Sequence, residues 1–116
     1  ADDDFFIRTL LQKFIPEPCT FIEVENGAGV LDAYKAKRPD IVFLDMHMPE
    51  LDGQQIIKQL LLFDPCAYVV MISADGSREC ISASVIGGAK SFLTKPLDPK
   101  RVAHEYMQAK TKIEKR

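Results

Sequence analysis

Three apolar stretches of this sequence each end in a polar side chain that could take part in chemistry. Ile41–Leu44 leads into Asp45, a run ending at Ile72 leads into Ser73, and a shorter run leads towards Lys95. A polar residue after a strand is often only the start of a loop. If the three strands are parallel neighbours, however, their carboxyl ends meet at one edge of a sheet. A carboxylate, a hydroxyl and an ammonium group would then lie together.

The acidic run Asp2–Asp4 adds further carboxylates. It directly precedes the first predicted helix, which is expected to turn Arg8 towards water, so the run can be explained as a helix cap with acids that complement the dipole. Placed beside Asp45, the same carboxylates would repel one another, and a hard divalent cation such as Mg²⁺ would relieve that repulsion. With Ser73 and Lys95, such a site could hold a phosphoryl group while a carboxylate oxygen attacks phosphorus.

Helical and strand patterns alternate along the chain and would position these side chains. Apolar residues recur at helical spacing in segments that begin near Phe5, Asn26-Gly27, Gly53, Arg78 and Pro99. Short or continuous apolar runs predict strands at Thr20–Val24, Ile41–Asp45, Ala67–Ser73 and Ser91–Thr94. Connections long enough for a helix favour parallel strands with right-handed crossovers. The pattern therefore predicts an α/β fold with helices on both faces of a parallel sheet.

Composition limits the classes of function. A chain of 116 residues makes one domain, and 47% hydrophobic with 28% charged residues is ordinary for a globular protein. A net charge of −2 gives no reason to expect nucleic acid or a membrane surface as the main partner. The basic residues at the end of the chain suit the last turn of a helix, and a nucleic-acid tail is the alternative. Three cysteines without CxxC spacing predict reduced thiols in a cytoplasmic protein.

The stretch from Asp45 to Gly53, taken with Asp2-Asp3, Ser73-Ala74 and Lys95-Pro96, resembles the defining motifs of bacterial response-regulator receiver domains. The resemblance covers residues 1–116, with the motifs in the expected order. It implies a flavodoxin-like fold, which is a doubly wound five-stranded parallel sheet with helices on both faces. It also implies a role in two-component signal transduction.

The resemblance assigns a role to each motif. Asp45 would be the phosphoacceptor, taking phosphate from a sensor histidine kinase or a phosphotransfer protein. The ligands of Mg²⁺ would be the carboxylates of Asp2, Asp3 and Asp45 and the main-chain carbonyl of His47. Ser73 would hydrogen-bond the phosphoryl group and Lys95 would pair with it. Such a domain is regulatory and catalyses only its own phosphoryl transfer and dephosphorylation.

The signal would leave the site through an aromatic switch. Phe92 occupies the position of the residue that, in this family, moves inward when Ser73 is drawn towards phosphate. The bond between Lys95 and Pro96 resembles one that is cis in the family, and X-Pro bonds have a low cis penalty. Phosphorylation would shift a population between two states. The surface from Gly87 to Glu105 would then bind a downstream effector or a second copy of the chain.

One departure from the family pattern concerns the first strand. Receiver domains have a buried apolar strand just before the acidic pair, whereas this sequence opens at Ala1-Asp2. We expect either a leading segment of about four to six further residues or a strand supplied by another chain.

Two other functions fit parts of the pattern. A degenerate receiver could serve only as a protein-binding module, although the complete set of Asp45, Ser73 and Lys95 argues against this. An enzyme that hydrolyses phosphate esters through Asp45 would want a second acid or base close after the nucleophile, and His47 is the only candidate. A nucleotide-binding domain is less favoured because no strand leads into a glycine-rich loop.

Overall fold

A computed structural model describes residues 1–16, 18–48 and 53–114. This part of the chain forms three strands, namely β1 (Val42–Asp45), β2 (Val69–Ser73) and β3 (Ser91–Thr94). It also forms five α-helices, namely α1 (Phe5–Phe14), α2 (Val30–Lys37), α3 (Gly53–Phe63), α4 (Arg78–Ile86) and α5 (Pro99–Glu114), with a 3₁₀ turn at Gly27–Gly29. None of the described helices is both long enough and apolar enough to cross a membrane.

The three strands form one parallel sheet in the order β1-β2-β3. The register sets Asp45 opposite Ile72 and Ser73 opposite Thr94. β2 lies between its two neighbours and all five of its residues are buried. This explains its unbroken apolar sequence, because a strand covered on both faces needs no polar side.

Successive residues of the sheet point to opposite faces, and each face has its own core. Val69 and Met71 belong to a cluster with α2 and α3, whereas Val70 and Ile72 belong to a cluster with α1 and α5. Helices therefore cover both faces, as predicted. The helices α3 and α4 begin at Gly53 and Arg78, as predicted.

The segment Thr20–Val24, predicted as a strand, does not join the sheet. The segment is largely exposed and lies across an apolar groove of about 140 Å³ from β1. Ala1 and Asp2 bridge the two sides at one end, because Asp2 N–H donates to Val24 O (3.1 Å) and Asp45 N–H donates to Ala1 O (2.9 Å). The described sheet thus has three strands where five were predicted, and a strand ahead of Asp2 stays a prediction.

Candidate functional site

The carboxyl edge of the sheet brings the predicted polar residues to one place. Asp45 ends β1, Ser73 ends β2 and Lys95 directly follows β3. One carboxylate oxygen from each of Asp2, Asp3 and Asp45 lies within 4.8 Å of the other two. Asp2 is fully buried and Asp45 is 4% exposed, whereas Asp3 faces solvent. The result is an acidic cluster that is open on one side.

The acidic run divides between two roles. The side chain of Asp4 accepts a hydrogen bond from Phe6 N–H (2.9 Å) and caps α1, which is the structural role considered for the run. Asp2 instead turns inward, where its Oδ1 accepts from Asp4 N–H (2.9 Å). Asp3 completes the cluster with Asp45. Helix capping and the acidic site are therefore both present, on adjacent residues.

Arg8 holds the main chain of this run in place, and the expectation that it faces water was wrong. Its Nη1 donates to Asp2 O (2.7 Å), and its Nε pairs with Glu23 at 3.1 Å. The side chain is 11% exposed and also lies 4.0 Å from Glu25. Nothing in the spacing of the first helix distinguishes such a residue from a solvated arginine, because its partners lie outside that helix.

Lys95 supplies the positive charge of the site. Its Nζ lies 3.1 Å from Asp2 Oδ2 and 3.6 Å from Asp45 Oδ2. Burial alone would lower the pKa of Lys95, but the contact with Asp2 and the charge of Asp45 outweigh burial and raise it. The peptide bond between Lys95 and Pro96 is cis, as the resemblance implied. Lys95 is thus a stable cation held against two carboxylates.

The environment of Asp45 disfavours its negative charge. Burial raises the pKa of Asp45, and the neighbouring charges of Asp2 and Asp3 raise it further. Two groups act against this increase, since His47 N–H donates to Asp45 Oδ1 (3.2 Å) and the ammonium of Lys95 attracts the carboxylate. When no cation other than Lys95 is bound nearby, these surroundings therefore destabilise the ionised form of Asp45.

The donor set fits a hard divalent cation. Three carboxylates lie together beside the ammonium group of Lys95, and oxygen ligands from a few carboxylates are what Mg²⁺ takes in proteins. Asp2 Oδ2 is buried and, although close to Lys95 Nζ, is out of line for a hydrogen bond with any described group. A buried oxygen without a hydrogen bond is costly unless another partner satisfies it. Asp2 Oδ2 is therefore paired with Lys95 by charge but keeps the capacity to bind a metal as well.

The hydroxyl of Ser73, which is expected to hydrogen-bond a phosphoryl group, already has another hydrogen-bond partner. Ser73 is fully buried, and its Oγ accepts a hydrogen bond from Asp75 N–H (3.0 Å). Ser73 O also accepts from Lys95 N–H (2.9 Å), which joins the ends of β2 and β3. Phe92, the predicted switch residue, is buried in the core on the α3 side of the sheet.

Two polar side chains flank the opening of the site. His47 and Asp75 are both exposed, and hydrogen bonding to Ser77 lowers the pKa of Asp75, with a smaller effect from nearby His47. The backbone of His47 lies at the site through its bond to Asp45, while the role of its carbonyl as a ligand stays a prediction. The part of the motif from Pro49 to Asp52 lies outside the described residues.

Comparison with protein families identifies the kind of domain to which this group of polar residues belongs. A family model described as the response regulator receiver domain matches residues 1–106. The chain belongs to this family.

Individual relatives support the assignment. The receiver domain is 37% identical over 104 residues to the chemotaxis protein CheY of Listeria monocytogenes, covering 88% of this chain and 87% of that protein. It is 36% identical over 99 residues to the sporulation initiation phosphotransferase F of Bacillus subtilis, covering 84% and 80%. A CheX-CheY-BeF3-Mg²⁺ complex from Borrelia burgdorferi contains a chain with a TM-score of 0.85 and 35% identity, covering 92% of this chain and 83% of that one.

These likenesses confirm several of the sequence predictions. The fold is the flavodoxin-like α/β fold of receiver domains, and the chain is a regulatory signalling domain of two-component systems. Receiver domains bind Mg²⁺ at an acidic pocket and interact with kinases and phosphotransfer proteins. This chain has an acidic cluster around Asp45.

Proposed function

We propose that residues 1–116 form one receiver domain in which Asp45 accepts a phosphoryl group from a sensor histidine kinase or a phosphotransfer protein. The observation that carries this proposal is the grouping of Asp2, Asp3 and Asp45 within 4.8 Å, with Lys95 Nζ 3.6 Å from Asp45 Oδ2. A purely structural strand end would not need three carboxylates and a lysine at one point. Membership of the receiver family supports the same function.

The transfer exchanges one bond to phosphorus for another. A carboxylate oxygen of Asp45 forms an O–P bond as the N–P bond of the donor's phosphohistidine breaks, and the electron pair returns to the imidazole. Asp45 must be ionised for this attack. The hydrogen bond from His47 N–H and the ammonium of Lys95 both favour the ionised form.

Asp2, Asp3, Asp45 and the main-chain carbonyl of His47 would hold Mg²⁺. When bound, the metal would offset the negative charge that gathers on the phosphoryl oxygens. The residues of the chain carry out the positioning. Arg8 fixes the main chain of Asp2 through its carbonyl, and Asp4 N–H fixes the carboxylate of Asp2 through Oδ1.

Phosphorylation would then be read out through Ser73 and Lys95. A phosphoryl group with up to about two negative charges, in place of the single carboxylate charge of Asp45, attracts donors. The Ser73 hydroxyl would rotate from its contact with Asp75 N–H towards the phosphoryl oxygen, and Lys95 would exchange part of its pairing with Asp2 for the phosphate. Rearrangement at these two strand ends would favour one position of Phe92, which lies on β3 three residues before Lys95. This is a shift between two populated states.

The surface from Gly87 to Glu105 is the expected output face. It exposes cationic side chains at Lys90, Lys100 and Arg101, and it adjoins α4, whose Val85 and Ile86 are 56% and 85% exposed. Exposed apolar side chains next to charged ones suit a protein partner, either an effector or a second receiver. We propose no direct binding of nucleic acid by this domain. A cytoplasmic location agrees with the reduced thiols of Cys19, Cys66 and Cys80.

The test is the intact mass of the chain after incubation with acetyl phosphate, with and without Mg²⁺. The parent should gain one labile phosphate only when Mg²⁺ is present, and Asp45→Asn should gain none. Asp75→Asn is the matched control, because it removes an exposed carboxylate near the opening and should leave the adduct intact. Absence of an adduct in a parent chain shown to be folded by circular dichroism would favour a phosphate-independent binding module.

A further inference from the structure

Glu105 is a buried carboxylate on α5 whose two oxygens both accept hydrogen bonds from other elements. Its Oε1 accepts from the hydroxyl of Ser91 (2.9 Å), the first residue of β3. Its Oε2 accepts from the hydroxyl of Tyr68 (3.3 Å), which directly precedes β2. Glu105 is 8% exposed, so the carboxylate lies in the interface between the helix and the sheet. One side chain thus ties α5 to the starts of two strands.

The chemistry of the three groups favours a fixed arrangement. Burial raises the pKa of Tyr68, and the charge of Glu105 raises it further, so the phenol stays protonated and acts as the donor. Hydrogen bonds to a charged acceptor are stronger than those between neutral groups. A buried carboxylate that loses such partners is costly because it cannot recover its hydration. Glu105 therefore resists any motion of α5 that would separate it from Ser91 and Tyr68.

A second side chain of α5 attaches to the neighbouring position on the same strand. Arg101 lies four residues before Glu105 and so shares its face of the helix. Its Nη2 donates to Phe92 O at 3.3 Å. Ser91 and Phe92 are consecutive in β3, the strand that leads to Lys95. Two successive turns of α5 thus form hydrogen bonds with two successive residues of β3.

We propose that Glu105 is a positioning residue that holds α5 against β3 through its hydrogen bonds with Ser91 and Tyr68, which we call the latch. Together with the bond from Arg101 to Phe92 O, the latch makes α5 follow movements of β3. The inference rests on the proposed function, because those movements would start at the phosphorylated Asp45. Without the latch, β3 could shift against a helix that stays where it is. With it, a change at Lys95 and Phe92 reaches the exposed side of α5, which is part of the expected output face.

Hydrogen exchange of backbone amides, read by mass spectrometry, tests the latch. The variants Ser91→Ala and Tyr68→Phe each remove one hydroxyl that donates to Glu105. Thr111→Ala is the matched control, since its hydroxyl donates to Met107 O within α5 itself. With Mg²⁺ alone, we expect the amides of α5 to exchange about tenfold faster in the two latch variants than in the parent or the control.

A second measurement separates coupling from plain stability. Beryllium fluoride with Mg²⁺ serves as the phosphoryl analogue. We expect it to change exchange around Asp45 in every variant, but to change exchange in α5 only in the parent and in Thr111→Ala. An unaltered α5 response in both latch variants would overturn the proposal, as would an equal loss in the control.

The two proposals fail in different ways. If the parent shows no change around Asp45 with beryllium fluoride, the proposed function and the coupling both fail, while the comparison with Mg²⁺ alone still supports or overturns the latch. If Ser91→Ala does not fold, Tyr68→Phe decides the outcome, because it keeps the aromatic ring in the core and removes the hydroxyl alone.

Discussion

The two carboxylate oxygens of Asp45 have different partners, and both partners favour the ionised form that attacks phosphorus. Oδ1 accepts from His47 N–H at 3.2 Å, whereas Oδ2 lies 3.6 Å from Lys95 Nζ. Burial and the charges of Asp2 and Asp3 act in the opposite direction and raise the pKa of Asp45. A carboxylate in this position gains from any added cation. Burial and the charges of Asp2 and Asp3 therefore account both for the reactivity of Asp45 towards phosphorus and for an electrostatic cost in the metal-free domain.

Asp45→Asn should make the metal-free domain more stable at neutral pH. A raised pKa in the folded state means that folding binds extra protons between the ordinary pKa of 3.8 and the raised value, so stability falls as pH rises through that window. Asparagine has no such penalty. We expect its melting temperature to exceed that of the parent by a few degrees at pH 7 and to approach that of the parent below pH 3.8. Thermal unfolding in EDTA across this range measures the difference.

Asp75→Asn provides a control of opposite sign. Hydrogen bonding to Ser77 lowers the pKa of Asp75, so its ionised form stabilises the fold above pH 3.8 and that contribution is lost as pH falls. This variant should be no more stable than the parent at pH 7. A rise in stability at pH 7 in both variants would show that loss of net negative charge, rather than the surroundings of Asp45, is responsible.

At the scale of elements, the sequence predicts those parts whose neighbours are close in the chain or whose burial is complete. The unbroken apolar run of β2 predicted a strand covered on both faces, and all five residues are buried. The convergence of Asp45, Ser73 and Lys95 followed from the rule that parallel strands end at one edge. The helices α3 and α4 begin at Gly53 and Arg78, as predicted, because the apolar spacing that indicates a helix is a local signal.

Features that depend on distant partners could not be predicted in the same way. Thr20–Val24 has the composition of a strand, but a strand needs a partner along its length. In the described part of the chain, the backbone of this segment bonds at one end, where Val24 O accepts from Asp2 N–H. Arg8 has the spacing of a solvated residue, but Glu23 and the carbonyl of Asp2 hold it inside. The contact between the Ser73 hydroxyl and Asp75 N–H is local in sequence, but it depends on the geometry of the loop after β2, which the apolar pattern does not specify.

The packing of α3 against β1 gives a prediction at this scale. A Cβ on Gly53 would lie 2.7 Å from the Cα of Met46 and 3.2 Å from Asp45 O, which are backbone atoms that cannot rotate away. Gly53→Ala should therefore push the start of α3 away from the site. We expect it to lower the free energy of unfolding by about 1–3 kcal/mol and to reduce phosphorylation of Asp45. Urea unfolding and the acetyl phosphate assay measure the two effects.

Gly76→Ala is the matched control for this substitution. Its Cβ would also come within 2.7 Å of another atom, but that atom is the methyl group of Thr94, an exposed side chain that can rotate. We expect a change within about 0.5 kcal/mol. Equal losses in both variants would mean that glycine itself, and not the approach to the Met46 backbone, sets the cost.

At the scale of the whole molecule, the acidic cluster links metal binding to folding. Asp2 and Asp45 are both buried and close together, so the repulsion between their carboxylates destabilises the folded domain. Any cation that binds only the folded chain stabilises it by mass action, by about 2.7 kcal/mol at a hundredfold excess over the dissociation constant. The domain should accordingly respond to Mg²⁺ as a unit, with all elements gaining stability together.

Asp3 and its neighbour Asp4 allow this link to be tested without disturbing the core. Both are exposed, but only Asp3 belongs to the cluster, whereas Asp4 caps α1. We expect Asp3→Asn to leave metal-free stability within about 0.5 kcal/mol of the parent and to need at least about tenfold more Mg²⁺ for the same stabilisation. Asp4→Asn keeps a good cap and should respond as the parent does. Urea unfolding over a series of MgCl₂ concentrations measures both variants. Because each substitution removes one negative charge from adjacent positions, equal responses would mean that Mg²⁺ acts by general screening, and a difference confined to Asp3→Asn would identify a bound metal.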